Sequence, residues 1–77
     1  MIKTNDILTF EETLLAGYAF IELAAPALRQ QRFGGEVDPH VLARASMAID
    51  AAASIIHAMP EDLAVPLQER WDRVVYG

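Results

Sequence analysis

Cysteine is missing from this sequence altogether. That excludes disulfides, thiolate-held zinc or iron–sulfur centres, and any thiol nucleophile. Basic residues are scarce. Lys3, Arg29, Arg32, Arg44, Arg70 and Arg73 stand against eleven acidic residues, for a formal net charge of −5. Along the chain the six are scattered, without the clustered Lys and Arg that non-specific nucleic-acid binding uses to displace counterions. Two histidines, His40 and His57, are too few for a convincing metal centre, so no cofactor is expected. Long apolar runs are also lacking. The longest, Leu14 to Ala27, is broken by Glu22 and Pro26 and falls short of the ~20 residues a membrane span requires. Lys3 is followed by the polar Thr4-Asn5-Asp6 rather than by the apolar core of a signal peptide. The expected protein is cytoplasmic, with no membrane segment, in keeping with a cysteine-free composition.

What is present is a short chain, 53% hydrophobic, whose apolar residues recur at helical spacing. A chain of this size buries only about 60% of the surface its unfolded form exposes. Small scaffolds are usually held by disulfides, a metal or a partner subunit. With the first two gone, self-association is the expected support.

The helices announce themselves by their ends. Thr9 and Glu12 have capping-box spacing, and Glu11 and Glu12 suit the positive end of a helix dipole. The first helix is predicted over about 10–32, with Phe10, Leu14, Ile21 and Leu28 on one stripe and Gly17 and Ala24 or Ala25 between them. Leu15, Phe20, Leu23 and Ala27 spread the apolar surface further, and between Thr13 and Leu28 the only charge is Glu22. A helix apolar almost all round is normally buried on more than one side. Pro26 removes a backbone donor and crowds the Glu22 carbonyl, which predicts a kink or a break. Arg29 and Arg32 then suit the helix C-terminus, and Gly34-Gly35 supplies the left-handed stop.

Asp38-Pro39 is a strong N-cap followed by a proline at the first helical position. It opens a second helix over about 39–59. The stripe Leu42, Ala45, Ile49, Ala52, Ile56 and Met59 resembles the seam of an antiparallel bundle, dense in alanine and serine. Pro60 ends it, and Glu61 and Asp62 precede a shorter third helix, about 63–75, with Pro66 tolerable only inside the first turn. Its stripe is Leu63, Leu67, Trp71 and Val74, with Glu69 and Arg73 as an i,i+4 pair.

The expectation is a single all-α domain over 1–77. It is a helical hairpin plus a short third helix, assembling as a homodimeric bundle in which a second copy covers Leu14, Ile21, Leu28, Ala45, Ile49, Ala52 and Ile56. Partner binding is placed at Arg70, Trp71, Arg73 and Tyr76, because Trp, Tyr and Arg dominate interface hot spots. Trp71 also lies on the apolar stripe and fits the core of a small bundle equally well.

No catalytic signature is present, and no enzyme is expected. Gly34-Gly35 lacks P-loop or Rossmann spacing, and no Gly-x-Ser-x-Gly elbow occurs. Asp50 and His57 share a helix face about 10 Å apart, too far for a direct bond within one copy but within reach across a dimer axis. Glu22 marks either a narrow solvent edge, near Arg29, or a buried polar group that fixes dimer register. His40 and Arg44, one turn apart, read as an exposed face.

The stretch Asp6-Ile7-Leu8-Thr9-Phe10-Glu11-Glu12-Thr13-Leu14, followed by an apolar helix, a Gly-containing turn and the Ala-rich run Ala45 to Met59, resembles the small helical-hairpin proteins of unknown function found in pseudomonads and their phages. The resemblance covers residues 6–59; the third helix, Leu63 to Val75, departs from that two-helix pattern. Several phage proteins of similar helical, dimeric build seize a host regulator or motor ATPase. The resemblance therefore implies an inhibitor or adaptor acting on a regulatory protein, and it gives no residue a role. The competing expectation is a DNA-associated regulator, such as an antitoxin-like dimer or an acidic nucleic-acid mimic. Against it, the third helix offers only Arg70 and Arg73 beside Glu69 and Asp72, poor for entering a major groove.

Overall fold

Two of the three helices begin at a side chain that accepts from their first backbone N–H groups, and the third follows Pro60 without such a cap. In the computed structural model, which describes residues 9–77, these helices are α1 (Phe10–Arg32), α2 (Pro39–Ala58) and α3 (Glu61–Tyr76). No strand occurs among the described residues. The leader 1–8, including Ile7 and Leu8 and the Asp6–Leu8 part of the resemblance, lies outside them.

The capping box at the start of α1 is complete. Glu12 N–H donates to Thr9 Oγ1 at 3.1 Å, and Thr9 N–H donates to Glu12 Oε1 at 2.9 Å. Phe33 caps the other end, and Gly34 takes the left-handed conformation at φ 83° that glycine tolerates without strain. Asp38 caps α2 by accepting from His40 N–H at 2.8 Å, with Pro39 at the first helical position.

Of the kink or break expected at Pro26 the break does not occur, and Pro66 does not lie in a first turn. Helix α1 runs through Pro26 without a break, and α3 starts at Glu61, earlier than 63, so Pro66 falls in its second turn. Both prolines are exposed. The carbonyls of Glu22 and Asp62, deprived of their i+4 donors, can therefore turn to water, and packing elsewhere keeps the helices continuous.

Helices α1 and α2 form the hairpin. Its seam is built from small residues: Ala24, Ala27, Ala45 and Ala48 make one cluster near the connecting turn. Ile21, Ala25, Ala52 and Ile56 continue the core with Ala64, Leu67 and Val74 of α3. Helix α3 lies across one side of the hairpin, running in the same direction as α1. Gly17 meets Leu67, Glu22 meets Arg70, and Arg32 meets the Val74 carbonyl in succession. The molecule is 14 Å deep in its shortest direction. That is the depth of two helix layers, given Cα cylinders ~4.6 Å across and axes ~8–10 Å apart. The hairpin is one layer and α3 the other, so among the described residues no helix covers the hairpin's far side.

By length and composition α2 is the only described helix able to cross a membrane. Alanine supplies much of its hydropathy, it carries Arg44 and Asp50, and its stripe is taken up by packing against α1 and α3.

The closest steric constraint is at Gly17. A Cβ there would lie 2.6 Å from Leu67 Cδ2 and 3.2 Å from Cδ1, and Leu67 is fully buried. Gly17→Ala should gain up to ~1 kcal/mol in helix propensity but lose ~1–3 kcal/mol to overpacking, a net destabilisation in urea titrations followed by circular dichroism. Leu67→Ala should cost ~2–5 kcal/mol. In that background Gly17→Ala should become stabilising by ~0.5–1 kcal/mol. Equal effects of Gly17→Ala in the two backgrounds would show that the two residues do not press on each other.

Candidate functional site

The seven residues assigned to a second copy are used by the chain itself. Ile21, Ala45, Ala52 and Ile56 are buried within one chain, and Leu14, Leu28 and Ile49 pack against that core. Four of the seven expected interface residues are therefore closed to a second copy, while Leu14, Leu28 and Ile49 are only partly buried. The stripe with the best heptad-like spacing is the one the intrachain hairpin takes first, since the short connection brings α1 and α2 together at no cost in association entropy.

Surplus apolar surface of α1 is then left exposed. Leu15, Ala19 and Leu23, four residues apart, form an exposed stripe, with Leu15 68% and Leu23 66% accessible. Phe20 flanks it. Across the hairpin the stripe continues onto α2. Leu23 and Ala27 border a shallow cavity of about 120 Å³ with Val41, Arg44 and Ala45. Solvent-exposed leucines at i and i+8 with an alanine between them at i+4 make an apolar stripe of the kind that marks an interaction surface.

The four residues expected to face a partner divide. Trp71 is half-buried and its indole N–H donates to the Ile49 carbonyl at 3.2 Å, so it closes the core between α2 and α3. Tyr76 is 75% exposed and meets Trp71 edge-on at 5.9 Å. Arg70 Nε donates to Glu22 Oε2 at 2.7 Å, in an ion pair with side chains 38% and 51% accessible. This answers the question of Glu22. It stands on the solvent edge, and its partner is Arg70 on α3, with Arg29 on its own helix left aside. The expected Glu69–Arg73 pair is not formed; Gln68 donates to Asp72 at 3.0 Å instead.

Local sequence did not reveal where the arginines go. Arg29, Arg32, Arg70 and Arg73 converge on one cavity of about 190 Å³ at the C-terminal ends of α1 and α3, floored by Ala25 and Val74 and closed by Gly77. Four of the six basic residues thus share one site, on the α1/α3 edge and away from the exposed Leu15–Leu23 stripe. The spacing Arg29/Arg32 and Arg70/Arg73, one turn in each helix near its C-terminus, is the only sequence trace of it. The N-terminal ends of α1 and α3 carry Glu11, Glu12, Glu61 and Asp62. Those ends are acidic, whereas the arginines gather at the opposite end, which also carries Glu36 and Asp38 of the α1–α2 turn.

A cavity of about 410 Å³ opens between the end of α2 and the start of α3 and is bordered by Ile56, His57, Met59, Glu61, Ala64 and Glu69, among others. His57 and Asp50 are both exposed, and no hydrogen bond joins them. Among the described residues no group of three or more His, Asp or Glu is placed to hold a metal ion.

No family model, curated protein or solved structure matches the chain.

Two substitutions separate core from surface at α3. Trp71→Phe removes a half-buried donor and part of the packed ring, and should lower stability by about 1–2 kcal/mol in thermal or urea unfolding. Glu22→Gln breaks an accessible ion pair and should change stability by no more than ~1 kcal/mol. The reverse ranking would place Trp71 outside the core.

Proposed function

We propose that the chain is a homodimeric, non-enzymatic protein-binding protein, acting as an inhibitor or adaptor of a regulatory protein. The observation that carries the reading is the exposed stripe of α1, where Leu15, Ala19 and Leu23 continue into Val41 and Arg44. A second copy is the occupant that fits its charges. Glu12 lies eleven residues before Leu23, close to three full turns of helix, and so shares its face. Arg44 sits beside Leu23 at the opposite end of that face. A two-fold axis through the middle of the stripe, perpendicular to it, stacks leucine on leucine. It sets Glu12 of each copy towards Arg44 of the other, and the acidic helix starts of each molecule beside the arginine end of its mate. Such an isologous pairing closes on itself and turns two helix hairpins into a four-helix bundle. The dimer then leaves Tyr76 and the arginine end outside, and these residue types suit a protein partner. The resemblance to helical phage proteins that seize host regulators supports the same class.

Light scattering at micromolar concentration should give twice the 8.5 kDa chain mass. Leu23→Glu should halve that mass while keeping the helical circular-dichroism spectrum, because the side chain is exposed in a single copy. Arg44→Glu should weaken the dimer by placing acid against acid, and added salt should lessen that defect. A wild-type chain that stays monomeric and folded at these concentrations would remove the dimer. Affinity capture from the native host should retain one regulatory protein in stoichiometric amount. If no protein is enriched over a bead control, the partner-binding half of the proposal fails.

A further inference from the structure

The arginine cavity holds more positive charge than the fold itself uses. The residues lie in or near the last turns of α1 and α3, where cations favour the helix dipole. Arg32 donates to the Val74 carbonyl, fastening the end of α1 to α3. Arg70 is held by Glu22. Glu22 offsets one of the four charges, and two helix C-termini together offset roughly one more. About two positive charges remain before the carboxyl group of Gly77 on the cavity wall is counted and about one after it, still of the sign that a phosphate monoester, carrying about −1.5 to −2 at neutral pH, requires.

The residual charge is concentrated on two side chains with nothing to hold. Arg29 and Arg73 line the cavity from opposite helices and make no side-chain hydrogen bond or ion pair among the described residues. Arg32 and Arg70 are already fixed in direction by their own partners, so the site is half organised before anything enters. The floor, Ala25 and Val74, offers no competing acceptor side chain. A cavity of about 190 Å³ has room for about six waters at ~30 Å³ each, enough for one tetrahedral anion with its ester oxygen directed outward. Guanidinium groups match such an anion geometrically because each presents two parallel donors.

We infer that this cavity binds one phosphate monoester, with Arg29 and Arg73 closing on its oxygens and Arg32 and Arg70 supplying the field. A long polyanion is excluded by the rest of the surface. Outside the cavity the chain has two basic residues, Lys3 and Arg44, against its eleven acids, so the strands flanking a bound phosphate would be repelled. The ester can be a free metabolite or a phosphorylated side chain of a protein. Both present the same group, and the test separates them.

The experiment uses the full chain and follows the arginine Nε–H resonances by NMR during titration with methyl phosphate, acetate and a phosphoserine-containing peptide, beside its unphosphorylated form. Methyl phosphate should saturate and shift the Arg29 and Arg73 signals, while Arg44 stays in place. Acetate should bind at least tenfold more weakly. The double variant Arg29→Gln, Arg73→Gln should lose at least tenfold in affinity with unchanged helicity, and Arg44→Gln should lose nothing. Tighter binding of the phosphopeptide than of methyl phosphate assigns the site to a modified protein partner; equal binding assigns it to a free ester. Equal affinity for acetate and methyl phosphate, shifts spread equally onto Arg44, or a double variant that binds like the wild type would each overturn the inference. Because the site lies off the leucine face, repeating the titration on Leu23→Glu should give the same affinity whether or not the chain dimerises.

Discussion

The shortage of side-chain volume at the hairpin seam governs the rest of this structure. Seven of the eleven buried hydrophobic residues are alanines, and only Ile21 and Leu67 are large and fully enclosed. Alanines allow α1 and α2 to approach closely and favour helix in their own right. Each removes little apolar area from water, however, and hydrophobic stabilisation scales with that area. The hairpin is therefore easy to form and weak in isolation. Helix α3 supplies what the seam lacks, by driving Leu67 against Gly17 and closing the α2 side with Trp71. Without a glycine at position 17, Leu67 could not sit so deep, and α3 would ride higher on the hairpin.

The same shortage explains why the exposed leucines matter. With the core so dependent on alanine, Leu15 and Leu23 are among the largest apolar side chains on α1, and they face outward. In a single copy most of their surface stays in water. Pairing two copies through them would put the bulk of α1 to use and give a marginal 77-residue fold the support that disulfides and metals cannot provide. Folding and association are then two stages of one process, with the intrachain seam formed first because its two sides are already tethered.

Much of the fold was legible because helix ends are written locally. Thr9 with Glu12, Gly34, Asp38 with Pro39, and Pro60 each act within a few residues, and the observed boundaries follow them closely. The prolines misled for a related reason. Local chemistry states what Pro26 and Pro66 remove, whereas the exposure that lets Glu22 and Asp62 carbonyls turn to water is a property of the packed molecule. The site was less legible still. Periodicity identifies an apolar stripe without saying whether the chain's own helices or a second copy will cover it, and Leu14 to Ile56 went to the former. The arginines lie some forty residues apart in two pairs, and only the parallel course of α1 and α3 brings them together.

The separation of charge has a kinetic meaning. Acids occupy the first turns of α1 and α3 and arginines their ends, so along these two helices charge is separated, tempered at the arginine end by Glu36 and Asp38 of the connecting turn. Approaching an anionic group, such a molecule feels a torque before it feels contact, and turns its arginine end forward. Misoriented encounters are repelled by the acidic remainder rather than merely being unproductive. The rate of correct association then depends on ionic strength more steeply than the net charge of the chain suggests, because salt screens the torque as well as the attraction.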